Sequence, residues 1–259
     1  MSELAIRFRE LAHAYKPGRW IFRNYSAAIP RGSTFALLGP NGSGKTTLLK
    51  ILLGTLKPTI GSVEVNGRTA FVPQLFQVTF DYSVLDMVLM GRARNVGVFS
   101  QPSARDEEAA MASLARFGIA HYAETPFHEL SGGERQLVIF ARALVSEADI
   151  LILDEPTSAL DLKNQNIVLD WIARLSRQDG LTILFTTHHP HHALAVADTA
   201  LLMLRNAPEQ GPAKEVLSEV NLHALYGVNM KHLSFEHLGE KHETLVPILP
   251  YASSKNPDV

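Results

Sequence analysis

The sequence predicts an α/β fold: a mainly parallel sheet covered by helices, built around a phosphate-binding loop, with a helical lobe inserted mid-chain. Three observations carry this. Short apolar runs alternate with helical stretches in both halves of the chain, the pattern of parallel strands joined by crossover helices. The run "GPNGSGKT", residues 39–46, follows one such strand and opens a helix. Between about residues 76 and 130 strand signals vanish and helical apolar spacing takes over.

In chain order, residues 4–9 and 21–29 read as short strands. "TFALLG", 34–39, is a buried strand ending in glycine. A helix over 46–53 stops at Gly54. "GSVEVNG" is a strand closed by an Asn66-Gly67 turn, and "TAFVPQ" is a strand ending at Pro73 and Gln74. "SVLDMVLMGR" and "RDEEAAMASLARFGI" have helical spacing. Ser131 and Glu134 have capping-box spacing, which predicts a helix to about Ser146. Its apolar face is Leu137, Ala141, Leu144, Val145 and Ala148. "DILILD" and "LTILFTT" are strands, with helices over 164–178 and 191–197. In the tail, "PAKEVLSEVNLHALYGV" is helical, "ETLVPIL" is a late strand, and "YASSKNPDV" is frayed. The expected organisation is one domain over 1–259: a nucleotide-binding core (1–75 and 148–230), a helical lobe (76–147) and a C-terminal extension (231–259).

The 259 residues, 46% hydrophobic, suffice for a sizeable core. A net charge of −2 creates no basic field for nucleic acid, so none is expected as a partner. The absence of cysteine excludes disulfides and Cys-based zinc or redox sites. The N-terminus does not read as a signal peptide, and no apolar run reaches the roughly 18 residues of a membrane span. The chain should be soluble, with any membrane association made through a partner.

"GPNGSGKT" matches G-x-x-x-x-G-K-[ST]. Such a loop must turn successive backbone N–H groups onto one anion, and glycine permits the dihedrals. The helix that follows adds its positive end. Lys45 can reach the β- and γ-phosphates, and the Thr46 hydroxyl can bind Mg²⁺. "ILILDEP" then delivers two acids from the end of a buried strand: Asp154 to hold Mg²⁺ and Glu155 to polarise an attacking water. The turn Ser131-Gly132-Gly133-Glu134 reads either as an ordinary capped helix start or as a second anion site, a capped helix N-terminus that a phosphate can approach closely. "HHPHH", 188–192, places four imidazoles in five residues, which can bind zinc adventitiously. Pro190 should open the next helix and leave His189, His191 and His192 near its exposed start.

"LSGGERQ", preceded by "GPNGSGKT" and followed by "ILILDEP", resembles the nucleotide-binding subunit of ATP-binding-cassette transporters over roughly residues 3–230. The resemblance implies a P-loop NTPase core with an antiparallel β subdomain at its N-terminus, ATP with Mg²⁺ as cofactors, and ATP hydrolysis as the activity. It implies a nucleotide held by Tyr15, stacked on adenine, and by Gly39, Pro40, Asn41, Gly42, Ser43, Gly44, Lys45, Thr46 and Thr47. Thr46, Gln74 and Asp154 would serve Mg²⁺, and Glu155, His188 and Gln74 would be the catalytic groups. Ser158 and Asp161, in "SALD", match the loop that crosses a dimer interface. Ser131 to Glu134 would act on the ATP of a second copy packed head to tail, with Glu134 where the family usually has Gln. His189 departs from the family's common acid.

The implied partners are that second copy, transmembrane permease subunits and, indirectly, a substrate-binding protein. The implied location is peripheral, on the cytoplasmic face of the inner (plasma) membrane. "SVLDMVLMGR" and "KEVLSEVNLHALYGV" are similar to importer ATPases for iron–siderophore, haem, cobalamin and molybdate-type substrates, and "FQVTFDYSVLDMVLMGR" reads either as core packing or as a groove for a permease helix. A zinc or manganese importer, a soluble non-transport ATPase and an inactive regulatory cassette are the rival readings.

Overall fold

The computed structural model describes residues 3–74, 80–97, 100–204 and 208–248. Strands β1 (Leu4–Lys16) and β2 (Arg19–Pro30) form an antiparallel hairpin, and β4 (Ile60–Val65) pairs with the other edge of β1. Glu10 (φ 49°) and Asn24 (φ 58°) sit where the β1–β2 register shifts, as bulged residues do. The central sheet runs in the order β5 (Thr69–Val72), β6 (Ile150–Leu153), β7 (Thr182–Thr187), β3 (Thr34–Leu38), β8 (Thr199–Leu202), β9 (Glu209–Pro212). The first five are parallel and β9 is antiparallel.

Strand β3 shows why the sheet is the heart of the molecule. Its side chains alternate between two cores, as a period of two requires. Phe35 and Leu37 join Phe8, Leu11, Phe22 and Ile29 of the antiparallel sheet and Leu48 of α1 (Lys45–Leu52). Ala36 and Leu38 face the other core, with Phe140, Leu151, Ile172 and Phe185.

The inserted region contains α2 (Val84–Leu89), α3 (Ala104–Arg116) and α4 (Gly132–Val145). Each begins with a full capping box: Ser83 with Asp86, Ser103 with Asp106, Ser131 with Glu134. Arg92, buried just beyond α2, donates to Asp106 Oδ1 (2.9 Å), Glu147 Oε1 (2.7 Å) and the Val145 carbonyl (3.2 Å), tying the three helices together. The Ser103 hydroxyl and N–H, with Arg92, hold the Asp106 carboxyl down at about 2. Beyond these lie α5 (Leu162–Arg177), α6 (Pro190–Val196), α7 (Ala213–Val216), α8 (Glu219–Tyr226) and the hairpin β10 (Met230–His237)–β11 (Glu240–Pro247).

Several local expectations need correction. Asn66-Gly67 closes no hairpin: β4 and β5 belong to different sheets, and Asn66 is bound to Leu4 and Ala5 of β1. Leu137 and Leu144 are only half-buried. The buried residues of α4 are Gly133, Val138, Ile139, Phe140, Ala141, Ala143 and Val145, because α2, α3 and β5 enclose more than one stripe of the helix. The tail helix is two helices, interrupted at Leu217, with Ser218 capping the second. Strands β8, β9 and β10 were not expected. Of the imidazoles, His192 is buried rather than near an exposed start, since as the third residue of α6 it turns inward.

Candidate functional site

The strand register brings the motifs together. Leu153 of β6 lies beside Phe185 of β7, and Thr187 of β7 lies beside Leu38 of β3. The residues just past those three ends are Asp154-Glu155, His188 and Gly39, and Gln74 follows the neighbouring β5 by two residues. All converge on the carboxyl edge of the parallel strands, where α/β sheets place their ligands.

In the phosphate loop, Gly42 (φ 79°) and Gly44 (φ 100°) occupy the left-handed region. A Cβ on Gly39 would meet Ser43 Oγ at 2.4 Å. Lys45 is buried and folds back along the loop, its Nζ donating to the carbonyls of Gly39 (2.8 Å) and Pro40 (3.2 Å) and lying 3.1 Å from Glu155 Oε1. Thr46 Oγ1 donates to Asp154 Oδ2 (3.0 Å), and Tyr15 Oη pairs with Thr47 Oγ1 (3.2 Å). Tyr15 leaves 58% of its surface exposed, enough ring for a flat partner to stack on. Asn41 and Pro40 are exposed.

Glu155 is the junction. It is buried, and one carboxylate oxygen meets Lys45 while the other lies 3.0 Å from His188 Nδ1 and 3.4 Å from Gln74 Nε2. Its backbone is left-handed (φ 46°), an uncommon state for a residue with a Cβ. Thr186, overlooked in the sequence, holds both acids: its hydroxyl donates to Asp154 Oδ1 (2.7 Å) and accepts from the Glu155 N–H (2.8 Å). Nothing in a Thr-Thr pair on a strand signals that role.

A cleft of about 370 Å³ is lined by Ile21, Asn41, Gly42, Gly44, Lys45, Thr46, Thr47, Gln74 and Glu155. No residue of the Ser131–Glu134 turn lines it. That turn is a capped helix start. Ser131 Oγ donates to Glu134 Oε2 (2.6 Å), and Tyr122 donates to Glu134 Oε1 (2.6 Å). These bonds, the Ser131 hydroxyl foremost, lower the Glu134 pKa. Ser131 and Gly132 are exposed. Gly133 packs so close to Asn164 that a Cβ there would meet Oδ1 at 2.3 Å, and a Cβ on Gly132 would lie 3.7 Å from Leu160. The glycine turn thus shares one face with the segment Ser158–Asp161. Asp161 caps α5, accepting from the Asn164 N–H (2.8 Å), and Ser158 Oγ is buried without a partner among the described residues.

The donors available to a divalent cation are hydroxyl and carboxylate oxygens at Thr46 and Asp154, with the Gln74 amide nearby, which suits a hard cation such as Mg²⁺. Among the described residues, no cluster of three or more His, Asp or Glu side chains is arranged to hold a metal, the four adjacent histidines included. No helix among them is long and apolar enough to cross a membrane.

Comparison with known proteins places these features in one family. The ABC transporter family model matches residues 22–158, just over half of the chain. The chain is 39% identical over 249 residues to the molybdate import ATP-binding protein MolC of Haemophilus influenzae, covering 93% of this chain and 98% of that protein. It is 34% identical over 239 residues to the manganese transport system ATP-binding protein MntA of Synechocystis, covering 88% and 92%. A solved structure described as an inward-facing metal-chelate type ABC transporter contains a chain that superposes with a TM-score of 0.92 at 38% identity, covering 96% of this chain and 99% of that one. With the loop, the acids and the histidine assembled at one sheet edge and such relatives matching most of its length, the chain belongs to the ABC transporter family, as the ATP-binding, ATP-hydrolysing subunit of an importer.

Proposed function

We propose that two copies of this chain, packed head to tail, drive uptake of a metal-chelate or oxyanion-type substrate, each ATP being enclosed by the phosphate loop of one copy and the Ser131 turn of the other. The observation that carries this reading is the separation within one chain. The 370 Å³ cleft holds the loop and Glu155 but nothing of the turn, while the turn lies exposed on a face shared with Ser158–Asp161. A helix start with Ser131 and Gly132 exposed suits a phosphate presented by a partner.

Within the cleft, Lys45 and the loop N–H groups would cradle the β- and γ-phosphates. The incoming triphosphate would draw the Lys45 ammonium from Glu155, freeing that carboxylate to accept a proton from the attacking water. His188 and Gln74, both within reach of the other carboxylate oxygen, would fix the direction in which it faces. Thr46, Asp154 and Gln74 would hold Mg²⁺, which when bound offsets the charge of the β- and γ-phosphate oxygens. Tyr15 would stack on adenine. In-line water attack needs little covalent help, so positioning and charge supply most of the rate.

A mainly apolar groove of about 470 Å³ on the lobe, lined by Tyr82, Asp86, Leu89, Met90, Ala93, Val96, Gly97 and Pro102, suits a short helix of a membrane permease. Part of the segment read for that purpose, residues 75–79, lies outside the described residues. Through that permease, the chain would sit on the cytoplasmic face of the inner membrane and serve a substrate-binding protein. The molybdate and metal-chelate relatives support the substrate class; a zinc or manganese importer is the second reading, and the 34% identical manganese transport relative supports its manganese form.

Ser131→Arg tests the shared site. It should leave ATP binding to the single copy unchanged, while abolishing ATP-dependent dimerisation and reducing hydrolysis to background. An ATP-dependent dimer of this variant in light scattering would contradict the shared site.

A further inference from the structure

The loop from Asp154 to Asp161 joins the acids to the segment that would face a partner copy, and it is a strained connection. Glu155 (φ 46°) and Ala159 (φ 62°) both carry a Cβ in the left-handed region. Such residues persist only where their surroundings hold them. Thr186 holds the Glu155 N–H, and the Ser158 N–H donates to the Glu155 carbonyl (3.0 Å). Gln165 donates to the Leu160 carbonyl (3.1 Å). Between these fasteners lies Thr157, 3% exposed, whose hydroxyl meets His192 Nδ1 at 3.1 Å; His192 is also 3% exposed.

His192 stands on α6 one turn beyond His188, whose own Nδ1 contacts Glu155. The Thr157–His192 bond therefore closes a ring: Glu155, Pro156, Thr157, across to His192, back along the chain to His188, and across to Glu155 again. Burial pushes the His192 ring down to about 3, with its histidine neighbours adding to the effect, so the ring stays neutral and pairs with a hydroxyl rather than a charge. A buried neutral pair of this kind is rigid, and losing one partner leaves the other unsatisfied.

We propose that His192 is a positioning residue for ATP hydrolysis: by holding Thr157, it locks α6, whose start directly follows His188, to the loop carrying Glu155, so the two catalytic side chains keep one relative placement. The link also joins Ser158–Asp161 to α6, so a partner copy pressing on that segment would move His188 and Glu155 together. This assigns the last of the four clustered histidines a mechanical role in place of a metal-binding one. It rests on the roles given above to Glu155 and His188.

The test is a double-mutant cycle on the full-length chain, reading kcat, the KM for ATP, ATP affinity of the single copy and the melting temperature. His192→Leu should lower kcat about tenfold, the scale of one buried hydrogen bond, with ATP affinity unchanged. Thr157→Val, which replaces the hydroxyl with a methyl group, should give the same loss. The double variant should be no worse than either single one, and His192→Asn, which restores a polar atom near the Nδ1 position, should recover most of the rate. Glu155→Gln in the same assay reports on the base role separately. Wild-type kcat in Thr157→Val, or losses that simply multiply in the double variant, would overturn the proposal even if Glu155→Gln is inactive. A general loss of folding would instead lower ATP affinity and melting temperature together in Thr157→Val, and that result also counts against a positioning role.

Discussion

Glu155→Gln should bind ATP, form a stable dimer around it and lose at least about 100-fold in hydrolysis, the scale of general-base removal. The carboxylate lies where one oxygen meets the Lys45 ammonium (3.1 Å) and the other meets His188 (3.0 Å). An amide of the same shape keeps the packing and the link to His188 but cannot take a proton from water. It also removes a negative charge from beside the γ-phosphate, which favours retention of the triphosphate. Nucleotide turnover in a coupled phosphate assay, together with dimer mass by light scattering, checks both halves. Normal turnover in this variant would remove Glu155 from the base role.

Lys45→Ala should abolish useful ATP binding, weakening it by about 100-fold or more, since two charge-assisted hydrogen bonds to phosphate are each of the order of 1.5–3 kcal/mol. The structure adds a second reason. The ammonium ties the Gly39 and Pro40 carbonyls, so the loop loses an internal brace as well as a ligand. The alanine variant also leaves Glu155 buried without its cation, and an unpaired buried charge is costly. Affinity measured by equilibrium titration with a fluorescent ATP analogue, alongside the melting temperature, separates the two consequences: adding Glu155→Gln to Lys45→Ala removes the unpaired charge and should recover stability toward the wild type without recovering affinity. An unchanged dissociation constant for Lys45→Ala would contradict the assignment of residues 39–46 as the phosphate loop.

Much of this was legible in the sequence because a few residue types have no substitute. A loop that turns consecutive N–H groups inward needs glycine, and Gly42 and Gly44 adopt the left-handed conformation that the pattern implies. Apolar strands ending in an acid or a histidine marked the carboxyl edge of the sheet, and the register of β3, β6 and β7 brings those ends side by side. The Ser131–Glu134 spacing indicated the capping box that the structure contains.

What escaped notice depends on long-range packing. Thr186 faces Asp154 only because β7 pairs with β6, and Asn164 abuts Gly133 only because α5 starts against the turn of α4. Tyr122 braces Glu134 from a short helical turn that has no periodicity of its own. His192 was misplaced because a proline opening a helix says where the helix starts, not which face it buries. Strand β10 was missed for the opposite reason. Beyond Met230 it is exposed along its whole length, so its alternation lacks the buried side that makes a strand visible.

The central claim is that each ATP is enclosed by two chains, and the absence of cysteine allows a background-free test. Two pools of the Glu155→Gln protein would be prepared, one carrying Asn41→Cys in the phosphate loop and the other Ser131→Cys in the glycine turn, then mixed with a short bis-maleimide. The account predicts covalent dimers between the pools when ATP is present and almost none without it. No linkage between the pools with ATP present, together with efficient ATP-dependent linkage of the two positions inside a chain that carries both cysteines, would contradict it.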